Sequence, residues 1–157
     1  MLTSEQIEKI LENKLSDVGK ISGAIGGAIG GGIFGVASGV FGALGGYSGG
    51  ASGARIGSKL ISVDHKNSSV KIQDQNKIPE LIKKYFDNSL IHESHENNIY
   101  YAVGIKGSGF FNLNPCVLEV VLKQNNLEIV AHAKEGLIKQ KTCLKGMSAL
   151  RAYLISN

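Results

Sequence analysis

A chain of 157 residues carrying a net charge of +4 is long enough for one ordinary domain plus an appendage. That charge is too slight for a strong electrostatic footprint on nucleic acid. The 43% hydrophobic content is normal for a globular protein, yet it averages two unlike parts, because 16 of the 21 glycines fall between Gly19 and Gly57.

From Lys59 onward 13 Lys/Arg stand against 9 Asp/Glu, so the basic balance belongs to the second part and is diluted over it. Such a balance favours an anionic partner only weakly. The two cysteines, Cys116 and Cys143, allow one disulfide and fit a reducing compartment at least as well. Met1 to Lys20 carries Glu5, Glu8, Glu12 and Asp17 among its lysines, which is unlike the short basic start of a secretory signal.

Residues 2–19 predict an amphipathic helix. Thr3 suits the N-cap and Gln6 the reciprocal position of a capping box, with Leu2 and Ile7 as the hydrophobic staple. Ile7, Ile10, Leu11, Leu15 and Val18 mark one apolar face. That face fits docking on the chain's own domain or lying at a membrane surface.

Ile21 to Ala54 contains no charged residue. Gly19, Gly23, Gly27, Gly31, Gly35 and Gly39 recur every four residues, and a second register follows through Gly42, Gly46 and Gly50, shadowed by Gly53 and Gly57. Four-residue spacing stacks residues on one helix face, and a face without side chains lets another backbone approach closely. As one helix the stretch is roughly 50 Å long, well beyond a hydrocarbon core of about 30 Å. The change of register near Gly39–Gly42 therefore predicts two helices in a hairpin over 20–58. Lys14 and Lys20 then lie on the same side as Arg55 and Lys59, which makes both ends cytoplasmic under the positive-inside rule. The first half is rich in Ile, Val and Phe, whereas Ala43–Ser58 carries Tyr47, Ser48 and Ser52 and needs a helical neighbour rather than lipid alone. A flexible linker and a tightly packed soluble helical pair are the competing readings, with a cytoplasmic location in the second case. A linker does not need this much Ile, Val and Phe.

The run Ile21-Ser22-Gly23-Ala24-Ile25-Gly26-Gly27-Ala28-Ile29-Gly30-Gly31-Gly32-Ile33-Phe34-Gly35, continued to Gly57, resembles the glycine-zipper two-helix membrane domains of bacterial envelope proteins. It is also similar to glycine-rich segments of pore-forming toxins and membrane-active bacteriocins. The resemblance covers residues 19–58 and implies insertion into membrane lipid, homo-oligomer packing and a toxin or effector role. Unlike the lipoprotein members, the chain has no lipobox cysteine near its start. A second similarity, of Asp17, Val18, Ile21, Gly23 and Ala24 to the end of a double-glycine export leader, implies cleavage after Ala24.

Residues 59–77 read as a polar linker with room for a short strand pair around Asn67–Ser68. Residues 78–157 predict a small α+β domain. A helix starts at Ile78 with Pro79 in its first turn and buries Leu81, Ile82, Tyr85 and Phe86. Asn98–Lys106, Cys116–Lys123 and Leu127–Lys134 alternate as strands. A loop at Gly107–Pro115 and a turn at Asn125–Asn126 separate them. Leu137–Cys143, with Lys139 and Lys141, suits an edge strand, and Lys145–Leu154 closes as a helix on Met147, Leu150 and Leu154. The expected fold class is thus α+β: an N-terminal amphipathic helix and a glycine-zipper hairpin, then an antiparallel sheet flanked by helices.

Chemistry is sparse. His92-Glu93-Ser94-His95-Glu96 is the only metal-like cluster, and its three-residue His spacing signals no third ligand and reads as a solvated loop. Gly104–Gly109 follows a strand but opens no helix, as a phosphate loop must. Cys116 or Cys143 with His132 forms a nucleophile–base pair only in principle. Tyr100, Tyr101, Phe110 and Phe111 near Lys106 would have to be exposed to stack on bases, and Tyr101 reads as buried. The expectation is a non-enzymatic chain with no cofactor, metal or nucleic-acid partner, whose C-terminal domain binds or regulates through a protein partner.

Overall fold

The computed structural model describes residues 1–15, 17, 63–72, 74–108, 114–134 and 140–157. The glycine stretch, together with Lys20, Arg55 and Lys59, lies outside the described residues. Lys14 is described and exposed. Among the described residues no helix is long and apolar enough to cross a membrane.

The first helix, α1, spans 4–15. Its start carries the expected reciprocal cap. The Thr3 N–H donates to Gln6 Oε1 at 2.8 Å, and the Gln6 N–H donates to Thr3 Oγ1 at 3.3 Å. Two of the donors that every helix start leaves orphaned are thereby satisfied.

The chain divides into two compact units, one made of Met1–Ile7 with Val63–Asn157 and the other of Glu8–Ser62. The first unit is built on a five-stranded antiparallel sheet in the order β1-β5-β4-β3-β2. Its strands are β1 (Val63–Lys71), β2 (Leu90–Glu96), β3 (Ile99–Ser108), β4 (Asn114–Lys123) and β5 (Asn126–Lys134). Helix α2 (Ile78–Phe86) connects β1 to β2, which lie on opposite edges, and α3 (Thr142–Ser156) follows β5.

Both helices pack on one face of the sheet. Helix α2 buries Ile78, Ile82 and Phe86, spaced four apart, while Leu81 and Tyr85 are only partly covered. It ends where Asp87 turns to φ 46°, with its N–H bonded to Lys83 O. Helix α3 presents Cys143, Gly146, Met147, Leu150 and Leu154. These meet Cys116, Leu118, Val120 and Leu122 of β4 and Leu127, Ile129, Ala131 and Ala133 of β5. Gly104 of β3 lies directly beneath Phe86, where a Cβ would sit 2.1 Å from the ring.

Several expectations change. Residues 63–71 are one continuous strand, in register with β5 from Val63↔Lys134 to Lys71↔Asn126, so much of the supposed polar linker is a sheet edge. An edge strand that faces water needs few apolar residues, which is why it reads as a linker. The same reason applies to His92–Glu96, read as a loop and found in edge strand β2. The β4–β5 turn is centred on Gln124-Asn125, with Gln124 at φ 52°. Strand β3 runs on through Gly104 and Gly107 to Ser108, so no phosphate-type loop forms over 104–108. The expected last strand does not extend to Cys143. Lys141, at φ 57°, precedes a helix that begins at Thr142, and residues 135–139 lie outside the described residues.

Candidate functional site: a buried carboxylate clasp

Strand β4 reads as a continuous apolar run, Val117-Leu118-Glu119-Val120-Val121, interrupted by one charge. A central strand covered on both faces has this composition, and a carboxylate inside it must find donors. Alternation directs Leu118 and Val120 to the helices and Glu119 to the opposite face. Glu119 exposes only 2% of its surface.

Three donors reach it. His132 of β5 places Nε2 at 2.9 Å from Oε1. The Leu2 N–H donates to Oε2 at 2.8 Å, and the Tyr101 hydroxyl of β3 donates to the same oxygen. The strands supply His132 and Tyr101 through register. Tyr101 pairs with Val121 and His132 with Val117, both two residues from Glu119 on the same face. The third donor comes from 117 residues away along the chain.

Burial pushes the Glu119 carboxyl up, but the hydrogen bonds from His132, Tyr101 and Leu2 outweigh it and hold the group below its ordinary value. Burial, reinforced by the hydrogen bond to Glu119 and its negative charge, raises the Tyr101 hydroxyl well above its usual range. Tyr101 therefore stays protonated and serves as a donor. Around the clasp lie His65, whose ring centroid is 6.5 Å from that of His132, and His92, 5.8 Å from Tyr101.

Such an arrangement anchors. Both carboxylate oxygens are committed to protein donors, which suits holding Met1–Ile7 on the sheet rather than attacking a substrate. Because the folded pKa is lowered, the unfolded chain binds the proton more readily. The stabilisation is present above the unfolded pKa and is lost as pH falls through the folded one. Denaturant midpoints of the full chain are expected to drop steeply below about pH 4.5, and Glu119→Gln is expected to flatten that acid limb. An equally steep limb in the variant would show that other carboxylates carry it.

The other sequence-nominated chemistry is dispersed. Cys116 and Cys143 remain thiols, buried on the helix side of the sheet. Their sulfurs lie 3.8 Å from Val117 O and 3.5 Å from Asp64 O, whereas His132 belongs to the reverse face, so neither makes a pair with it. His92 and His95 fall on opposite faces of β2, opposite Val103 and Tyr100 respectively. Among the described residues no group of three His, Cys, Asp or Glu is placed to hold a metal. Tyr100 is 2% exposed and packs in the core. Phe110 and Phe111 lie outside the described residues.

Sequence reasoning missed Glu119. The signal was available in a lone carboxylate and a lone imidazole, each embedded in an apolar strand, since charged groups are almost never fully buried unless paired. The donor from Leu2 had no such signal. Comparison of the chain with protein families, curated proteins and solved structures finds no match.

Proposed function

We propose that this chain is a membrane-inserting, self-associating protein, a membrane-perturbing or pore-forming effector whose α+β domain is its non-catalytic regulatory or partner-binding part. The observation that carries the reading is glycine at every fourth position, in two registers, across residues 19–57 without a charge from Ile21 to Ala54. Chain connectivity supports the hairpin form. The chain leaves the sheet unit after Ile7 and returns to it at Val63. A stretch that starts and ends on one folded body crosses a bilayer an even number of times if it crosses at all. Lys14, Lys20, Arg55 and Lys59 then flank the insertion on the cytoplasmic side.

The glycine-dense, serine-containing half, Ala43–Ser58, favours a second reading, a soluble structural module whose hairpin packs in a protein assembly. Fractionation separates the two. The full chain is expected in the membrane pellet, resistant to alkaline wash, and a chain lacking residues 20–58 in the supernatant. Recovery of the full chain from the supernatant without detergent would sink the membrane reading. Replacing Gly27, Gly31 and Gly35 together with Leu is expected to weaken self-association at least about tenfold, measured by cross-linking in membranes, because the new side chains hold the backbones apart.

A further inference from the structure

A pocket of about 430 Å³ opens at one end of the sheet, on the side where α2 begins. Its polar lining is Gln75, Asn76, His95, Asn98, Gln124 and Asn125. Pro79, Leu122 and Tyr100 complete the lining. The volume lies within the range of small-molecule sites, while six polar residues among the nine that line it make it more polar than most of them.

Its chemistry is specific in two respects. First, no carboxylate, ammonium or guanidinium lines it. The nearby Lys77 is paired with Asp74 at 3.7 Å, and burial, followed by the Glu93 charge and hydrogen bond, keeps the Tyr100 hydroxyl protonated. A ligand that needs a carboxylate, ammonium or guanidinium partner finds none in the lining itself. Second, five of the six polar groups are carboxamides, each a donor and an acceptor at once. They come from three separate segments: the 3-10 turn Gln75–Lys77, the β2–β3 turn and the β4–β5 turn. Two of the turn residues sit in the left-handed region, Asn98 at φ 60° and Gln124 at φ 52°. Asn is at home in that region, whereas a side chain as long as that of Gln124 is uncommon there.

We propose that this pocket binds a neutral, hydroxyl-rich ligand, a mono- or disaccharide. A hydroxyl donates and accepts, as a carboxamide does, so adjacent sugar hydroxyls match adjacent carboxamides. The C–H face of the ring rests on Pro79 and Leu122. A nucleobase fits less well, because Tyr100, 2% exposed, has no open ring face to stack on. His95 is held at 83° to the Tyr100 ring, with centroids 6.3 Å apart. The inference is independent of membrane insertion and stands whether or not residues 20–58 enter a bilayer.

The test is NMR titration of the isotope-labelled full chain, in a medium free of sugar-based detergent, with glucose, N-acetylglucosamine, maltose and cellobiose, and with adenosine and uridine as the contrasting class. Saturable shifts of the side-chain NH₂ signals of Asn98, Gln124 and Asn125 with at least one saccharide at about 20 mM are expected, since exposed polar sites bind weakly. The double change Asn98→Gly with Gln124→Gly removes two carboxamides where φ already suits glycine. It is expected to weaken that binding at least about tenfold with the backbone spectrum preserved. His95→Ala, at an exposed strand position, supplies a second variant with the same expected direction. No shift with any of the four saccharides, shifts with the nucleosides alone, or wild-type binding by these variants would each overturn the proposal.

Discussion

Replacing Glu119 with Ala is expected to lower the stability of the sheet domain by about 3–5 kcal/mol. The loss has three sources. His132 Nε2–H, the Tyr101 hydroxyl and the Leu2 N–H all lose their acceptor at once. His132 is buried, so its orphaned donor costs its full desolvation, while the half-buried Tyr101 and Leu2 donors cost less. The deletion also leaves a void in a strand buried on both faces. Since a domain of this size is stable by roughly 5–15 kcal/mol in total, the change removes a large share of it. Glu119→Gln keeps the shape and one acceptor oxygen, and is expected to cost about 1–2 kcal/mol. Denaturant titration of the full chain, with hydrogen exchange at β4 and β5, measures both. The same experiment reads the anchoring role. In Glu119→Ala the amides of residues 3–7 should exchange faster than in the parent, out of proportion to the global loss. Uniform acceleration over the whole sheet unit would mean that the carboxylate supports the fold without specifically holding Met1–Ile7.

Gly104→Ala is the second large effect. A Cβ at this position would sit 2.1 Å from Phe86 Cδ1 and 2.4 Å from Cγ, inside the ring rather than against it. Phe86 is 1% exposed and fixed by α2, so it cannot yield by swinging into solvent. Helix α2 must move away from β3, at an expected cost of about 3 kcal/mol, the upper end for overpacking. The cause can be separated from a general loss of strand stability. Phe86→Ala alone is expected to cost about 3–5 kcal/mol. Combined with Gly104→Ala, the total should fall short of the sum by more than about 1 kcal/mol, because the clash has been removed. Strict additivity would refute the packing account. Gly146→Ala provides an internal contrast. Its Cβ would meet the Cys116 sulfur at 2.8 Å, on a helix that gains about 1 kcal/mol from losing a glycine, so a smaller net change is expected.

The two predictions differ in how visible their causes are in the chain. The capping box at Thr3 and Gln6, the burial of Ile82 and Phe86 in α2 and the inward residues of β4 and β5 are all legible, because each depends on neighbours within one element. The edge strands β1 and β2 are not. Their residues face water on much of their surface, so Asp64–Ser69 and His92–Glu96 resemble loops until the partner strand is known. The pairing of β1 with β5 joins segments about sixty residues apart, and no local pattern in either announces the other.

What the sequence determined by itself was therefore the local grammar: the glycine registers of 19–57, the cap of α1, the alternation of the central strands and the α+β class. What only the tertiary structure decided was which side of each strand is shared with which partner. Glu119, His132, Tyr101 and Leu2 lie in four separate segments, and none of them announces its partners alone. They become one clasp because antiparallel register brings three strands together on the face away from α2 and α3, and because the chain's first residues return to that face. The physical reason is range. Helix caps and alternation are set by contacts a few residues apart, whereas a buried carboxylate takes its donors from wherever folding supplies them.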